Sequence, residues 1–171
     1  MTVLTNQMRS GNASRAGTSV ESARSIGEIR SSLNLLLADI FTLYFKTKSF
    51  RWHLSDAPRQ EYLLLLDEHG EQLLAITDDV AERVRNLGGT TIRSIGEIAR
   101  VQRLRDNDTE HLTAKDMMDE LRKDEKRLAS AMKTLHSLCD ESGDLDTANL
   151  LKSCIEDSQL RGWFLFESIR A

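Results

Sequence analysis

Hydrophobic positions recur every three or four residues over most of the chain, which is the spacing of amphipathic α-helices. The first such run begins at about Val20 and continues to His53. It stops before Pro58, because proline cannot sit inside a helix but can open the next one. The second run spans about 59–87 and closes at Gly88-Gly89, a strong signal for a helix C-terminus.

Two further runs follow a long connection. The third begins after Thr113 and reaches about Asp140, and the fourth spans about 146–169 with Asp144 or Asp146 as its N-cap. The connection, residues 90–112, is polar and contains a short helical segment near Ser94–Val101. Short links join antiparallel neighbours, and one long link can cross a bundle. The pattern therefore predicts an all-α four-helix bundle with a single crossover and a short helix in the long connection.

Composition agrees with long helices. The 171 residues include one proline and nine glycines, and aromatic residues make up 5%. So few turn-forming residues argue against a sandwich or a barrel. The sequence has no apolar segment long enough for a signal peptide or a membrane span, so we expect a cytoplasmic protein with no membrane partner.

Charge is distributed unevenly along the chain. Residues 1–19 are rich in Ser, Thr, Asn and Gly without periodicity, and we expect a flexible tail ahead of a domain at 20–171. Residues 1–20 contain Arg9 and Arg15 and no acid, whereas the remainder has 21 basic and 27 acidic residues, a formal charge of −6. Such a weakly basic tail on an acidic body can contact a polyanion, although two arginines are a small number.

The second helix carries a stripe of carboxylates on one face. Its members are Asp67, Glu71, Asp78 and Glu82. Leucines interrupt this face, which suggests a partly buried surface such as a subunit interface rather than a solvated one. Clustered carboxylates are costly there unless arginines or a cation neutralise them, and oxygen ligands of this kind suit Fe, Mn, Mg or Ca. The alternative is a solvated face neutralised by Arg83 and Arg85.

Histidines and cysteines add no ligand pattern to this stripe. The Glu-x-x-His pair of di-iron bundles is absent. His69 falls on the apolar side of the second helix, where a core histidine is the expected role, and Cys139 and Cys154 are expected to be buried thiols. No phosphate-binding loop, dinucleotide motif or nucleophile elbow is present. The sequence therefore offers no chemistry apart from that of metals.

Several motifs resemble those of the Dps family, the mini-ferritins, over about residues 25–168. They are Leu43-Tyr44-Phe45-Lys46-Thr47-Lys48-Ser49-Phe50-Arg51-Trp52-His53, Leu64-Leu65-Leu66-Asp67-Glu68, Ala81-Glu82-Arg83-Val84-Arg85, Gly88-Gly89-Thr90-Thr91, Asp146-Thr147-Ala148-Asn149-Leu150-Leu151 and Trp163. The resemblance implies a ferritin-like four-helix bundle that assembles into a hollow dodecamer. It also implies oxidation of ferrous iron with peroxide, storage of the ferric mineral, protection against oxidative stress and, in many members, DNA binding through basic tails.

The same resemblance implies a ferroxidase centre between two subunits related by a two-fold axis. Two histidines and an Asp come from one subunit, and an Asp and a Glu come from the other. Matched by motif, the metal ligands of this chain are Asp67 on one side and Asp78 with Glu82 on the other. The first histidine should precede Trp52, where this chain has Arg51. The second should lie four residues before Asp67, where the chain has Leu63.

These two departures predict a centre that is damaged or lost within a cage that persists. Arg51 can neutralise Asp78 and Glu82 by ion pairing, and Leu63 makes one side of the site apolar. Three carboxylates can still hold iron weakly, and His53, two residues from position 51, points elsewhere on the helix.

Three functions stay open at this point. The first is a cage for iron storage and oxidative-stress protection with slow or relocated oxidation, in which Asp144 and Asp146 line an acidic pore. The second is a structural or DNA-protecting shell without iron oxidation. The third is a helical bundle that binds a partner protein.

Overall fold

The computed structural model of the protein describes residues 7–55 and 59–170, with side-chain environments for 22–55 and 60–170. The described elements are five helices: α1 Gln7–His53, α2 Arg59–Asn86, α3 Ile95–Val101, α4 Ala114–Ser142 and α5 Leu145–Ser168. Pro58 and residues 1–6 lie outside the described residues. None of the helices in the described ranges is both long and apolar enough to cross a lipid bilayer.

Four long helices form a bundle, as the hydrophobic pattern predicts. α1 packs on α2 and α4, and α5 packs on α4 and α2, so the order around the bundle is α1, α2, α5, α4. Leucines, isoleucines and methionines from all four long helices form one continuous core. The short α3 lies in the long connection and contacts α1. The predicted fold class is therefore confirmed.

Helix ends follow local chemistry that the sequence displays. Gly88, directly after the last turn of α2, has a φ of 78°, a conformation that costs glycine little. Thr113 accepts a hydrogen bond from the backbone N–H of Asp116 and caps α4. Asp144 does the same for α5 through Thr147, so Asp144 rather than Asp146 is the N-cap. These caps hold the observed ends close to the predicted ones.

α1 begins earlier than expected. Its backbone is helical from Gln7, whereas hydrophobic periodicity starts only at about Val20. The segment between them contains no proline to block a helix, but its glycines, serines, Asn12 and Thr18 are weak helix formers and it has no apolar stripe. The division into a tail at 1–19 and a domain at 20–171 stays a prediction.

Buried ion pairs fasten the long connection and α4 to α1. The Lys46 ammonium on α1 donates to Asp124 at 2.7 Å and to Glu120 at 2.8 Å, and Asp124 is fully buried. Asp39, also on α1, pairs with Arg103 of the connection at 2.6 Å. Removing one member of such a pair leaves a buried charge without a partner, which is strongly destabilising. These contacts hold α1 against α4 and the connection, and Lys48 and Arg51 lie on another face of the same helix, toward α2.

Candidate metal centre

The last turns of α1 place two cations beside one carboxylate of α2. Lys48 donates to Asp67 Oδ1 at 3.2 Å, and the Arg51 guanidinium forms an ion pair with the same oxygen. All three side chains are about one third exposed or less. The Arg51 guanidinium is the main reason that the pKa of Asp67 lies below its usual range; partial burial opposes this effect and Lys48 reinforces it. Asp67 is therefore ionised, and two cations of its own chain contact its carboxylate.

Gly70 leaves the space through which Lys48 reaches Asp67. A Cβ at Gly70 would lie 3.2 Å from Lys48 Cδ, closer than ordinary packing allows. Glycine inside a helix costs about 1 kcal/mol relative to alanine, so its presence in the middle of α2 calls for such a reason. The sequence interpretation missed Lys48 as part of the site. Its spacing of three residues from Arg51, on neighbouring turns of one helix, is the signal that could have revealed it.

Leu63 lies one turn before Asp67 on α2. It is half-buried and packs against the hydrophobic core, so this position supplies no nitrogen or oxygen donor. The role of Leu63 as an apolar wall of a centre between two subunits stays a prediction.

Asp78 and Glu82 lie farther along α2. Eleven residues separate Asp78 from Asp67, which is about 16 Å along a helix. Both Asp78 and Glu82 are exposed, and neither makes a hydrogen bond or ion pair with another described residue. Within the described ranges of one chain, no three His, Cys, Asp or Glu side chains come close enough to hold a metal ion. The metal set Asp67, Asp78 and Glu82 can therefore meet only between two copies, which a single chain does not test.

The arginines proposed as partners for a solvated stripe point elsewhere. Arg83 donates to Asp144 and to the Thr147 hydroxyl on α5, at 2.6 Å for the latter, and also pairs with Asp146. Arg85 donates to the backbone carbonyl of Gly89 at 2.7 Å. The interpretation of the stripe as a face neutralised by Arg83 and Arg85 is wrong. Within one chain, Arg51 pairs with Asp67 and not with Asp78 or Glu82.

Arg83 also contacts the turn between α4 and α5 through Asp144. Burial raises the pKa of Asp144, but hydrogen bonds from Thr147 and the Arg83 charge outweigh it, and the net pKa is lowered. Asp144 is thus engaged as a cap and an ion-pair partner. Asp146 is 84% exposed and is the freer of the two acidic residues that the sequence suggested for a pore.

None of the four histidines reaches the candidate centre. His53 is exposed and contacts the Ser49 carbonyl through Nδ1 at 2.8 Å, and His136 pairs with Asp140 on α4. His69 is buried in the bundle; burial, with a further effect of Arg161, lowers its pKa from 6.5 to about 4. His111 is exposed in the long connection.

Both cysteines are buried and free, and burial raises the pKa of each thiol to about 11. Cys139 and Cys154 are therefore unreactive core residues, as expected.

Exposed apolar side chains surround the candidate centre. We call this face the α1–α2 surface; it comprises Phe45, Lys48, Arg51, Trp52, Leu64, Asp67, Leu74, Asp78 and Glu82. Phe45, Trp52 and Leu64 are each about 60% exposed, and Phe45 and Trp52 stack edge to face with centroids 6.2 Å apart. Large exposed apolar side chains among charged ones are typical of an interaction surface.

Comparison with known proteins places this geometry in a family. A family model described as a ferritin-like domain matches residues 30–170. The chain is 30% identical to a DNA protection during starvation protein of Agrobacterium fabrum over 133 residues, which cover 78% of this chain and 82% of the relative. It is 31% identical to an uncharacterized low temperature-induced protein of Nostoc over 137 residues, covering 78% and 75%.

Solved structures agree with the sequence comparisons. DpsC from Streptomyces coelicolor superposes with a TM-score of 0.82 at 26% identity, covering 85% of this chain and 86% of that one. Dps from Thermosynechococcus elongatus superposes with a TM-score of 0.84 at 23% identity, covering 87% and 94%, and supports the fold.

Proposed function

The chain belongs to the ferritin-like domain family and, within it, to the Dps proteins, and from that premise we propose that it is the subunit of a protective Dps-type cage whose centre is closed by ion pairs instead of iron. Its role is that of a shell formed under starvation or oxidative stress, without ferroxidase activity at the rate expected of the family. The observation that carries the proposal is the pairing of Lys48 and Arg51 with Asp67.

Two fixed cations make this half of the site a poor place for ferrous iron. The group formed by Lys48, Arg51 and Asp67 carries a net charge of +1, whereas Asp67 between neutral imidazoles would carry −1. A divalent ion about 5 Å from one cation is repelled by roughly 2 to 7 kcal/mol, for effective dielectric constants between about 80 and 20. With Leu63 contributing no donor, the residues present do not fit an iron centre of the expected kind.

The other half of the site supplies the complementary charge. Asp78 and Glu82 are exposed on the same face of α2 and have no partner among the described residues. In a two-fold contact each surface patch meets its own copy, so residue i contacts residue j and j contacts i. Asp78 and Glu82 of one copy then face Lys48 and Arg51 of the other, and the carboxylates that would bind iron are neutralised by protein.

This proposal is tested by measuring the mass and metal content of the purified protein, before and after addition of ferrous iron and peroxide. We expect a closed assembly, a dodecamer by analogy with the family, that acquires no ferric core. The Arg51→His/Leu63→His variant serves as the matched positive control. A wild-type assembly that accumulates iron as fast as this variant would contradict the proposal.

A second candidate, iron storage at a weakened centre, is favoured by the same exposed pair. Asp67, Asp78 and Glu82 from two copies can hold iron loosely if Asp67 exchanges Arg51 for the metal, and the exposed Asp146 offers an acidic entry. Slow growth of a ferric core over many turnovers, in an assembly with an unchanged number of chains, would favour this candidate over the ion-paired shell.

DNA is a further ligand that we propose for the shell, because relatives include DNA protection during starvation proteins. Arg9 and Arg15 are the only charged residues among residues 1–20, so we expect weak, salt-sensitive binding. A gel shift that persists after deletion of residues 1–20 would rule out the tail as the binding element.

A further inference from the structure

A polar pocket lies between α1, the long connection and α4, on a different face of α1 from Lys48 and Arg51. Its volume is about 380 Å³, which is within the range of sites for small molecules. Arg103 enters the pocket from the connection, and Arg127 and Ser130 enter it from α4. None of the residues proposed above for iron or DNA belongs to this pocket.

The Arg103 side chain is held in place by a buried carboxylate of α1. Asp39 Oδ2 accepts a hydrogen bond from Arg103 Nε at 2.8 Å and pairs with Nη2 at 2.6 Å. Asp39 Oδ1 accepts the backbone N–H groups of Arg103 and Leu104 at 2.6 and 3.2 Å. The Nη1 group of Arg103 makes no hydrogen bond with a described residue, and 44% of the side chain is exposed. Arg103 is therefore oriented from behind while one edge of its guanidinium stays free.

The Arg127 side chain is held in the same way by a buried carboxylate of α4. Arg127 Nη1 donates to Asp124 Oδ1 at 2.8 Å, and the other oxygen of this carboxylate accepts from Lys46 at 2.7 Å. Asp124 is fully buried, so the core sets its position. Arg127 Nε and Nη2 make no hydrogen bond with a described residue, and 61% of the side chain is exposed. The pocket thus presents two oriented guanidinium groups with unused donors.

These donors match a tetrahedral oxyanion. Guanidinium groups bind phosphate oxygens through pairs of parallel hydrogen bonds, and orientation in advance reduces the side-chain entropy lost on binding. The exposed Ser130 hydroxyl has no hydrogen bond with a described residue and adds a third donor group. The lining contains Arg103 and Arg127 but only one acid, Asp39, so its formal charge is +1.

Other classes of ligand fit this lining less well. A metal cation is repelled by the two arginines, and all four acceptor positions of the Asp39 carboxylate are already occupied. An apolar ligand would cover the free N–H groups of Arg103 and Arg127 without replacing their hydrogen bonds to water. A phosphate monoester has close to two negative charges and three terminal oxygens, one for each guanidinium and one for the Ser130 hydroxyl.

We infer that the pocket lined by Arg103 and Arg127 binds a phosphate group, carried by inorganic phosphate or by a phosphate monoester. The nucleic-acid backbone is another source of phosphate, but a phosphodiester has one negative charge and two free oxygens. It therefore satisfies the three donor groups less completely, and we expect the monoester to bind more tightly. The inference does not rest on the proposed cage, because no residue is shared between this pocket and the candidate metal centre.

The test is equilibrium dialysis of purified, iron-free protein against radiolabelled inorganic phosphate at constant ionic strength. We expect saturable binding of one phosphate per chain. Arg127→Gln should weaken the affinity at least about tenfold, because it removes charge-assisted hydrogen bonds, while Lys46 still neutralises Asp124. Arg127→Lys keeps the charge but not the planar fork, so it should bind more weakly than the wild type.

Arg122→Gln is the matched control. Arg122 pairs with Asp119 three residues earlier on α4, as Arg127 pairs with Asp124, but it does not line this pocket. The affinity of Arg122→Gln for phosphate should equal that of the wild type. Unlabelled methyl phosphate should displace the label at lower phosphate concentration than duplex DNA does.

Three results would overturn the inference. The first is wild-type protein without saturable phosphate binding, and the second is equal affinity in wild type and Arg127→Gln. The third is displacement by duplex DNA at lower phosphate concentration than by methyl phosphate, which would assign the pocket to a nucleic-acid backbone. Each of these results leaves the proposed ion-paired centre untouched, since that centre is tested by iron oxidation.

Discussion

Replacing Arg51 and Leu63 with histidine should open the centre to ferrous iron. Arg51→His removes a fixed cation from Asp67, and Leu63→His adds a nitrogen donor one turn away on α2. At subsaturating ferrous iron the initial rate of peroxide-dependent oxidation follows site occupancy. The double variant should therefore oxidise iron at least about tenfold faster than the wild type.

The size of this effect comes from the charges at the site. The lower end of the repulsion of a divalent ion by one cation at about 5 Å is roughly 2 kcal/mol, which is more than tenfold in affinity. The fold loses little in exchange, because the Arg51 and Asp67 side chains are 32% and 34% exposed and such pairs contribute about 0 to 1 kcal/mol. A change in activity can then be assigned to the site rather than to unfolding.

A matched control keeps the comparison specific. Arg24 forms the same type of single Nε contact with Glu28 on a distant, exposed part of α1, so Arg24→His should leave the rate at the wild-type value. Arg51→His alone and Leu63→His alone complete the cycle and separate loss of the cation from gain of the ligand. A double variant of normal mass that oxidises iron no faster than the wild type would refute the electrostatic argument.

Three further predictions concern the surroundings of the centre. Gly70→Ala should displace Lys48 from Asp67, because the new Cβ would lie 3.2 Å from Lys48 Cδ. An NMR titration should then show the pKa of Asp67 rising toward its ordinary value. An unchanged pKa of Asp67 would show that Lys48 adapts to the new methyl group. His69 binds a proton less readily in the folded protein, where its pKa is about 4 instead of 6.5. The free energy of unfolding should therefore fall by up to about 3 kcal/mol as the pH decreases from 6.5 to 4. Urea titrations of His69→Gln at several pH values should lack this part of the pH dependence. Cys139 and Cys154 should resist a thiol reagent in native protein and react on unfolding; rapid labelling of the native state would contradict their burial.

The helical architecture could be predicted because it depends on local patterns in the amino-acid sequence. The spacing of apolar residues defined the long helices, and Gly88, Thr113 and Asp144 set helix ends through contacts within a few residues. The early start of α1 could not be predicted from the pattern, because a helix without an apolar stripe leaves no periodic signal.

The candidate site could be predicted only in part. The sequence motifs located Arg51, Leu63 and Asp67, but they did not reveal that Arg51 pairs with Asp67 of its own chain. Pairing of Arg51 with Asp78 and Glu82 of another copy stays a prediction. Partners across a helix pair depend on how the connecting turn aligns them, and no local rule gives that alignment. Arg83 shows the same limit, because it pairs with Asp144, 61 residues away.

We propose above all that ion pairs, and not iron, occupy the centre. The most direct test is the initial rate of peroxide-dependent Fe(II) oxidation by the purified wild-type assembly, compared with that of Arg51→His/Leu63→His at the same iron concentration. We expect a wild-type rate close to that of iron and peroxide without protein, and a variant rate at least about tenfold higher. A wild-type rate equal to that of the histidine variant would contradict it.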